Sequence, residues 1–243
     1  MIIEYVGLPG SGKSTLRAAL MSLMDVEGTS TYTREDLQQQ MISKLVPLSR
    51  QGITRRVSTA IYKANLTYRA LTSESTQLKF SELAHPHIAR AARRLIESQM
   101  LHKEVTNLTE TQNVLFDMDE GICQNFISLN VWRRLIKKQE RRNYEWLNRH
   151  LEESNHVLIF LSLSNVTAVE RLDHRGRPQE WPSDIPNEEI LKAYEEELAI
   201  VNSLLKNEKL AVRTHEIDAS IPETEWVQVA KTIAKGLGSG RQQ

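Results

Sequence analysis

Several features are scarce in this 243-residue chain, and each scarcity excludes a class of protein. A single cysteine, Cys123, excludes an intramolecular disulfide and a metal site built from several cysteines. The 31 basic residues balance the 31 acidic ones, so overall charge gives no reason to expect a nucleic-acid or membrane partner. No stretch approaches the roughly 18 apolar residues of a membrane span. We predict that the first strand begins at residue 2, which leaves no room for a signal peptide, and we expect a cytoplasmic protein.

One complete motif stands at the amino terminus. Residues 7–15, GLPGSGKST, match the phosphate-loop pattern G-x-x-x-x-G-K-[ST] without a mismatch. Residues 1–6 form an apolar, β-branched run typical of a buried strand, and residues 13–24 carry an apolar helical stripe. Strand, glycine loop and helix together predict an α/β protein of the P-loop NTPase class. A glycine turn without a ligand is the alternative, which the full motif in this context disfavours.

The residue types of the loop suit a polyphosphate. Glycines adopt backbone conformations that let N–H groups turn inward, and the following helix adds the positive end of its dipole. We expect Lys13 to bridge the β- and γ-phosphates of ATP and the Ser14 hydroxyl to help hold Mg²⁺. The predicted nucleotide-binding residues of the loop are Gly7, Gly10, Ser11, Gly12, Lys13, Ser14 and Thr15.

We predict a short second strand at residues 28–34 and a third, apolar strand at residues 113–118. Carboxylates lie near the end of the third strand and directly after it. Asp117 or Asp119 would complete the Mg²⁺ shell, and Asp119 or Glu120 would orient or deprotonate the acceptor hydroxyl. Which carboxylate is the base stays open. The alternative is a polar turn in which Asp119 caps the next helix.

Arginines cluster after residues 156–163, a run so uniformly apolar that it suits a central parallel strand. Arg171, Arg175 and Arg177 lie on a segment bounded by glycine and proline, so they could close over a phosphate as a lid, about residues 171–186. The alternative is an exposed basic helix end, favoured by the helix dipole.

Three further segments carry open interpretations. Residues 34–36, Arg-Glu-Asp, either face a second substrate or supply a helix cap through Asp36. Residues 37–112 show only helical patterns and are predicted to be a helical insertion. Residues 131–150 hold seven basic side chains against two acidic ones, which indicates a solvated face, an anionic-substrate contact or a nucleic-acid patch.

Together these motifs resemble the thymidylate kinase and deoxynucleoside kinase branch of P-loop kinases. GLPGSGKST, TRED, DMDEG, VERLDHRGRP and EIDAS occur in the matching order, whereas residues 37–112 match only in being helical. The resemblance implies a five-stranded parallel sheet flanked by helices. We expect a single domain over residues 1–238 and a disordered tail at residues 239–243. The resemblance also implies that the loop at Asp218 lies near the adenine and that the three arginines are lid residues.

The leading hypothesis is therefore ATP- and Mg²⁺-dependent phosphoryl transfer to a small metabolite, with a nucleoside or nucleotide as candidate acceptor. The alternative is a nucleotide-dependent switch or a nucleic-acid-associated ATPase that uses residues 131–150 as its contact. We expect no membrane partner, and a nucleic-acid partner only under the second hypothesis. Association into a homodimer stays open.

Overall fold

The computed structural model describes residues 2–24, 30–45, 55–109, 114–118, 120–137, 143–153, 156–175, 181–206 and 214–239. Within them, a parallel sheet has the strand order β2-β3-β1-β4-β5. The strands are β1 (Ile2–Gly7), β2 (Ser30–Tyr32), β3 (Val114–Asp117), β4 (His156–Ser162) and β5 (Thr214–Asp218). Four strands have four to seven residues and edge strand β2 has three. The predicted α/β class, a parallel sheet flanked by helices, is confirmed.

The helices are α1 (Lys13–Met24), α2 (Arg34–Leu45), α3 (Arg55–Thr72), α4 (Pro86–Thr109), α5 (Ile122–Trp132), α6 (Tyr144–Glu153), α7 (Asn165–Arg175), α8 (Asn187–Leu205) and α9 (Trp226–Ser239). Short 3₁₀ turns cover Phe80–Glu82 and Glu223–Glu225, and a π-helical turn, Arg133–Lys137, extends α5. Helix α6 begins in the second half of the basic segment 131–150, and Arg149 is the one lysine or arginine that it contains. Among the described residues, no helix combines the length and apolarity that crossing a bilayer requires.

Strand β1 runs through the middle of the sheet and separates two apolar clusters. Ile3 and Tyr5 face a cluster that α1 and α9 complete, whereas Ile2 and Val6 face the larger cluster on the other side of the sheet. This alternation follows from strand geometry, which sends successive side chains to opposite faces. The phosphate loop at the carboxyl end of β1 is therefore held by a strand that is buried on both faces.

The described residues between 37 and 112 are largely helical and pack beside the sheet. Helix α3 packs on α4, and α4 packs on α5. Residues 46–54 and 110–113 lie outside the described part of the chain. Helix α4 thus presents one side to α3 and another to α5, next to the carboxyl ends of β1 and β3.

Helix α2 begins with a reciprocal cap. The Asp36 carboxylate accepts hydrogen bonds from the backbone N–H and hydroxyl of Thr33, and the Asp36 N–H donates to the Thr33 hydroxyl oxygen. The Thr33 side-chain and backbone hydrogen bonds lower the pKa of Asp36 below its ordinary value. Asp36 thus belongs to a capping box, although Thr33 rather than Asp36 is the cap residue.

The basic segment at 131–150 is engaged within the chain. Arg133 is only 2% exposed and donates to both carboxylate oxygens of Glu82, at 2.7 and 3.1 Å. Arg134 pairs with Glu196, and Arg149 pairs with Glu74. The prediction of a solvated face is wrong for Arg133, because a buried guanidinium needs an acidic partner. Residues 138–142 of the segment lie outside the described part of the chain.

Candidate active site

The phosphate loop follows β1 with the backbone geometry that its glycines permit. Gly10 and Gly12 have φ values of 84° and 85°, in the left-handed region that side chains disfavour. Gly7 is constrained by space instead, because a Cβ there would lie 2.7 Å from the Leu161 carbonyl oxygen. A Cβ at Gly12 would lie 3.0 Å from the indole of Trp226. Left-handed backbone conformation therefore accounts for Gly10 and Gly12, and lack of space accounts for Gly7.

The polar side chains of the loop surround the start of α1. The Lys13 ammonium donates to the carbonyl oxygens of Gly7 and Leu8, at 2.9 and 3.0 Å. Ser14 is exposed and Thr15 is half-buried in the first turn of α1. The Ser11 N–H donates to the Leu8 carbonyl at 3.0 Å, which closes the turn before the helix. Lys13 is thus folded along the loop that a phosphate would occupy.

Arg171 connects this loop to the turn that follows the carboxyl end of β5. Its guanidinium donates to the Gly10 carbonyl oxygen at 3.3 Å and to the Ala219 carbonyl oxygen at 2.8 Å. Next to Ala219, the exposed Asp218 carboxylate accepts from the Ser220 N–H at 2.9 Å. The backbone and side-chain hydrogen bonds from Ser220 lower the pKa of Asp218. The structure therefore brings Arg171 and the turn at Asp218 to the edge of the phosphate loop.

The rest of the predicted lid is described in part. Helix α7 reaches Arg175, so the backbone positions of Arg171 and Arg175 lie about one turn apart. Arg177 lies outside the described residues, as do the others from 176 to 180. Trp181 is described, and its ring contacts that of Trp132 edge-on, with centroids 6.4 Å apart.

The predicted acidic residues after β3 have different surroundings. Asp117 is buried, and its carboxylate pairs with the guanidinium of Arg17 on α1. That pairing would compete with a metal ion for the same carboxylate. Asp119 lies outside the described residues. The Glu120 carboxylate accepts from Arg94 at 3.0 Å and is 39% exposed, so it can reach a ligand.

Two residues hold the backbone at Glu120. Its carbonyl oxygen accepts from the Arg34 guanidinium at 3.1 Å and from the Asn125 amide at 2.8 Å. Arg34 is itself paired with the buried carboxylate of Glu97. Arg34 therefore positions the Glu120 backbone, whereas the sequence left it as a candidate for direct substrate contact.

Lys13 and Glu120 line one cavity of about 160 Å³, which we name the loop cavity. Its other functional groups are cationic, amide and aromatic: Arg90, Arg94, Gln124, Asn125, Trp132, Trp181 and Tyr194. Burial lowers the pKa of His87, which also lines the cavity, and the charge of Arg90 lowers it further, against an opposing effect from Asp184. The cavity combines a phosphate-loop lysine, a carboxylate and flat rings, which suits a polar organic ligand.

A buried carboxylate, that of Glu4, links the strand before the phosphate loop to the start of α5, which lines the loop cavity. Glu4, on β1, is fully buried and accepts from the Gln124 N–H at 2.9 Å. Burial raises the pKa of Glu4 to about 7, against the lowering effect of the N–H groups at the start of α5. A Cβ at Gly121 would lie 2.3 Å from the Glu4 carboxyl carbon, so only glycine fits there. The Gln124 side-chain oxygen accepts from the Gly7 N–H at 3.0 Å, which ties α5 to the loop a second time.

Sequence reasoning did not find most of the cavity wall. Arg90, Arg93 and Arg94 lie within residues 37–112, for which the sequence predicts only helices, although their spacing of three and four residues places them on one face of α4. Glu4 interrupts an apolar strand, and Gln124 and Asn125 interrupt an apolar helix. A polar residue within a run that is otherwise buried was the available signal.

No protein-family model matches the chain, and no curated protein matches it. Among solved structures, it is similar to deoxyadenosine kinase from M. mycoides with bound dCTP, at 15% identity and TM-score 0.48, over 98% of this chain and 100% of that one. The structure of the same enzyme with bound dATP is 14% identical to this chain with a TM-score of 0.49, over 97% of this chain and 100% of that one. These neighbours belong to the branch that the sequence motifs resemble. The likeness is remote, so the functional case depends on the site itself.

Proposed function

We propose that this chain catalyses ATP- and Mg²⁺-dependent phosphoryl transfer to a hydroxyl of a small metabolite, with nucleosides and nucleotides as the first acceptors to test. The observation that carries the proposal is the loop cavity, where Lys13 of a complete phosphate loop and the Glu120 carboxylate face the same space. A donor phosphate on the loop would lie beside an acceptor in that cavity. Phosphoryl transfer requires this juxtaposition more than any other feature.

The donor side would be bound by the loop. Inward N–H groups and the Lys13 ammonium would contact the β- and γ-phosphates, after Lys13 exchanges its two carbonyl partners for phosphate oxygens. Ser14 offers an exposed hydroxyl oxygen for Mg²⁺, whose other ligands would be phosphate oxygens, water and one carboxylate. Asp119 is the better candidate for that carboxylate, because Asp117 is paired with Arg17.

The acceptor side would be activated by Glu120. Its carboxylate would accept the proton of the acceptor hydroxyl. The hydrogen bond from Arg94 would orient the carboxylate, and those from Arg34 and Asn125 to the Glu120 carbonyl oxygen would hold the backbone. The oxygen–phosphorus bond to the acceptor forms as the bond from the γ-phosphorus to the bridging oxygen breaks, which leaves ADP. Lys13 and Arg171 would stabilise the developing charge, with Arg175 and Arg177 as further candidates. Asp119 remains the alternative base.

The competing hypothesis, a switch or ATPase that binds nucleic acid through residues 131–150, has less support. Arg133, Arg134 and Arg149 already pair with acidic residues of this chain. Pairing removes the free charge on which phosphate-backbone binding depends. Salt-sensitive binding to a generic duplex or single strand would revive that hypothesis.

A transfer assay tests the proposal directly. The purified protein is incubated with labelled ATP, Mg²⁺ and a panel of nucleosides, nucleotides and sugars, and labelled products are separated. We expect one acceptor class to be labelled, and Lys13→Ala to lower that rate by roughly 100- to 1,000-fold or more. Lys231→Ala, an exposed lysine on α9, is the matched control and should leave the rate unchanged.

Two results would count against the proposal. If titration calorimetry detects no heat of binding for any purine triphosphate with Mg²⁺, the proposed ATP site is wrong. Full turnover by the Lys13→Ala variant would remove the loop from the mechanism.

A further inference from the structure

A second, larger cavity lies on the far side of the α4 arginines. It has a volume of about 480 Å³ and lies between α2, α3 and α4. Its apolar wall includes Ile42, Leu66 and the ring of Tyr62, and its charged wall includes Lys63, Arg93 and Glu97. Arg90 and Arg94 line both this cavity and the loop cavity. We name the larger one the arginine cavity.

The lining of the arginine cavity carries four positively charged side chains and one carboxylate. Its carboxylate, Glu97, is already engaged by Arg34, by Gln38 at 2.8 Å and by the Tyr62 hydroxyl at 2.9 Å. Arg94 is engaged by Glu120. Three cations are left, Lys63, Arg90 and Arg93, whose side chains have no ion pair or hydrogen bond within the described residues.

Two of these cations, Arg90 and Arg93, repel each other. Arg90 and Arg93 are three residues apart on α4, a spacing at which like charges destabilise a helix. Arg93 is half-buried, and burial followed by the charge of Arg90 lowers the pKa of Arg93. A partly desolvated guanidinium beside a like charge is stabilised by an anion that both can contact.

We propose that the arginine cavity binds an oxyanion, a phosphate monoester of an organic ligand, through Arg90 and Arg93 with Lys63 nearby. Three cations suit a dianion better than a single carboxylate, and guanidiniums donate to phosphate in a bidentate manner. The apolar wall at Ile42, Tyr62 and Leu66 receives the organic part of the ligand. The phosphate belongs either to the acceptor itself, remote from its reacting hydroxyl, or to a separate ligand. The first source rests on the proposed function, and the second does not.

Arg93 makes the site testable, because it lines the arginine cavity and not the loop cavity. The probe is phenyl phosphate, with phenol as its uncharged counterpart, and the measurement is the dissociation constant by titration calorimetry. We expect phenyl phosphate to bind more tightly than phenol, and Arg93→Ala to weaken its binding roughly 10- to 100-fold, the size expected for lost charge-assisted hydrogen bonds. Arg93→Lys should bind with intermediate affinity.

The control variants locate the probe. Arg149→Ala, at an exposed arginine on α6 paired with Glu74, should bind phenyl phosphate like the wild type. Lys13→Ala reports any binding of the probe at the phosphate loop. The inference is overturned if the wild type does not bind phenyl phosphate, if Arg93→Ala and Arg93→Lys bind it unchanged, or if Lys13→Ala alone loses binding. The last result would place the probe on the phosphate loop.

Kinetics separate the two sources of the phosphate. With the acceptor found by the transfer assay, a raised acceptor KM in Arg93→Ala, at unchanged kcat and unchanged KM for ATP, assigns the phosphate to the acceptor. Weakened probe binding with unchanged kinetics assigns it to a separate ligand, and both outcomes support the site. If the protein transfers no phosphoryl group, the calorimetric result still decides the inference, so the two proposals fail independently.

Discussion

The phosphate loop and the wall of the loop cavity are built in contrasting ways. The loop is a contiguous stretch, residues 7–15, whose geometry depends on backbone conformation and close approach at three glycines. The cavity wall is assembled from α4, α5, α8, Glu120 and Trp181, which are far apart in the sequence. The proposed donor site is therefore encoded by one contiguous stretch, whereas the proposed acceptor site depends on how distant segments pack together. Substitutions in the two regions should separate donor binding from acceptor activation.

The largest effect is expected from Glu120→Gln. If Glu120 is the base, as proposed, loss of its carboxylate should lower kcat by roughly 100- to 10,000-fold. ATP affinity should be unchanged, because the loop is intact. Steady-state kinetics and ATP calorimetry measure the two effects, and Glu145→Gln, an exposed residue of α6, is the control. A Glu120→Gln variant with full activity would transfer the role of base to Asp119.

A smaller effect, on the pH dependence of stability, is expected from Glu4. This residue of β1 accepts a hydrogen bond from Gln124, which lines the loop cavity. Its folded-state pKa, about 7, lies above the ordinary value of 4.5, so folding favours the protonated carboxyl. Its contribution to stability is complete below pH 4.5 and is lost as the pH rises through about 7. The shift corresponds to a loss of about 3 kcal/mol.

The Glu4→Gln variant isolates this titration, because glutamine cannot ionise. Urea denaturation at several pH values should show the wild type losing stability relative to Glu4→Gln between pH 4.5 and about 7. A constant difference between the two proteins over that range would show that the Glu4 carboxyl is not the titrating group.

The smallest effects are expected from replacing two glycines, Gly12 and Gly236, with alanine. The two changes should shift the free energy of unfolding in opposite directions. Gly12→Ala forces a side chain into the left-handed region beside Trp226, which should destabilise the protein by about 1–2 kcal/mol. Gly236→Ala, inside α9, has ordinary space around its Cβ, with His215 at 3.8 Å, and should stabilise by up to about 1 kcal/mol. Urea denaturation compares the two. Equal effects would mean that the loop conformation imposes no strain on alanine.

The same contrast explains what the sequence could predict. The loop, the strands and most helices follow from periodicity and one motif, because each depends on neighbours in the chain. The fate of Arg133 could not be predicted, because its partner Glu82 is 51 residues away. Helix spacing could show that Arg90, Arg93 and Arg94 share a face, but not which cavities that face lines. Long-range packing decides such questions, and one sequence contains no direct record of it.

The bond from Gly7 to Gln124 bears on attempts to change which acceptor is used. Gln124 faces the loop cavity and would be an obvious choice for saturation mutagenesis. Replacing it with leucine would leave the buried Gly7 N–H without an acceptor, at a cost of about 1–3 kcal/mol, and would disturb the strand that carries the donor site. A library that randomises Arg90 and Trp181 while keeping Gln124 fixed should retain more folded, ATP-binding members than one that varies all three.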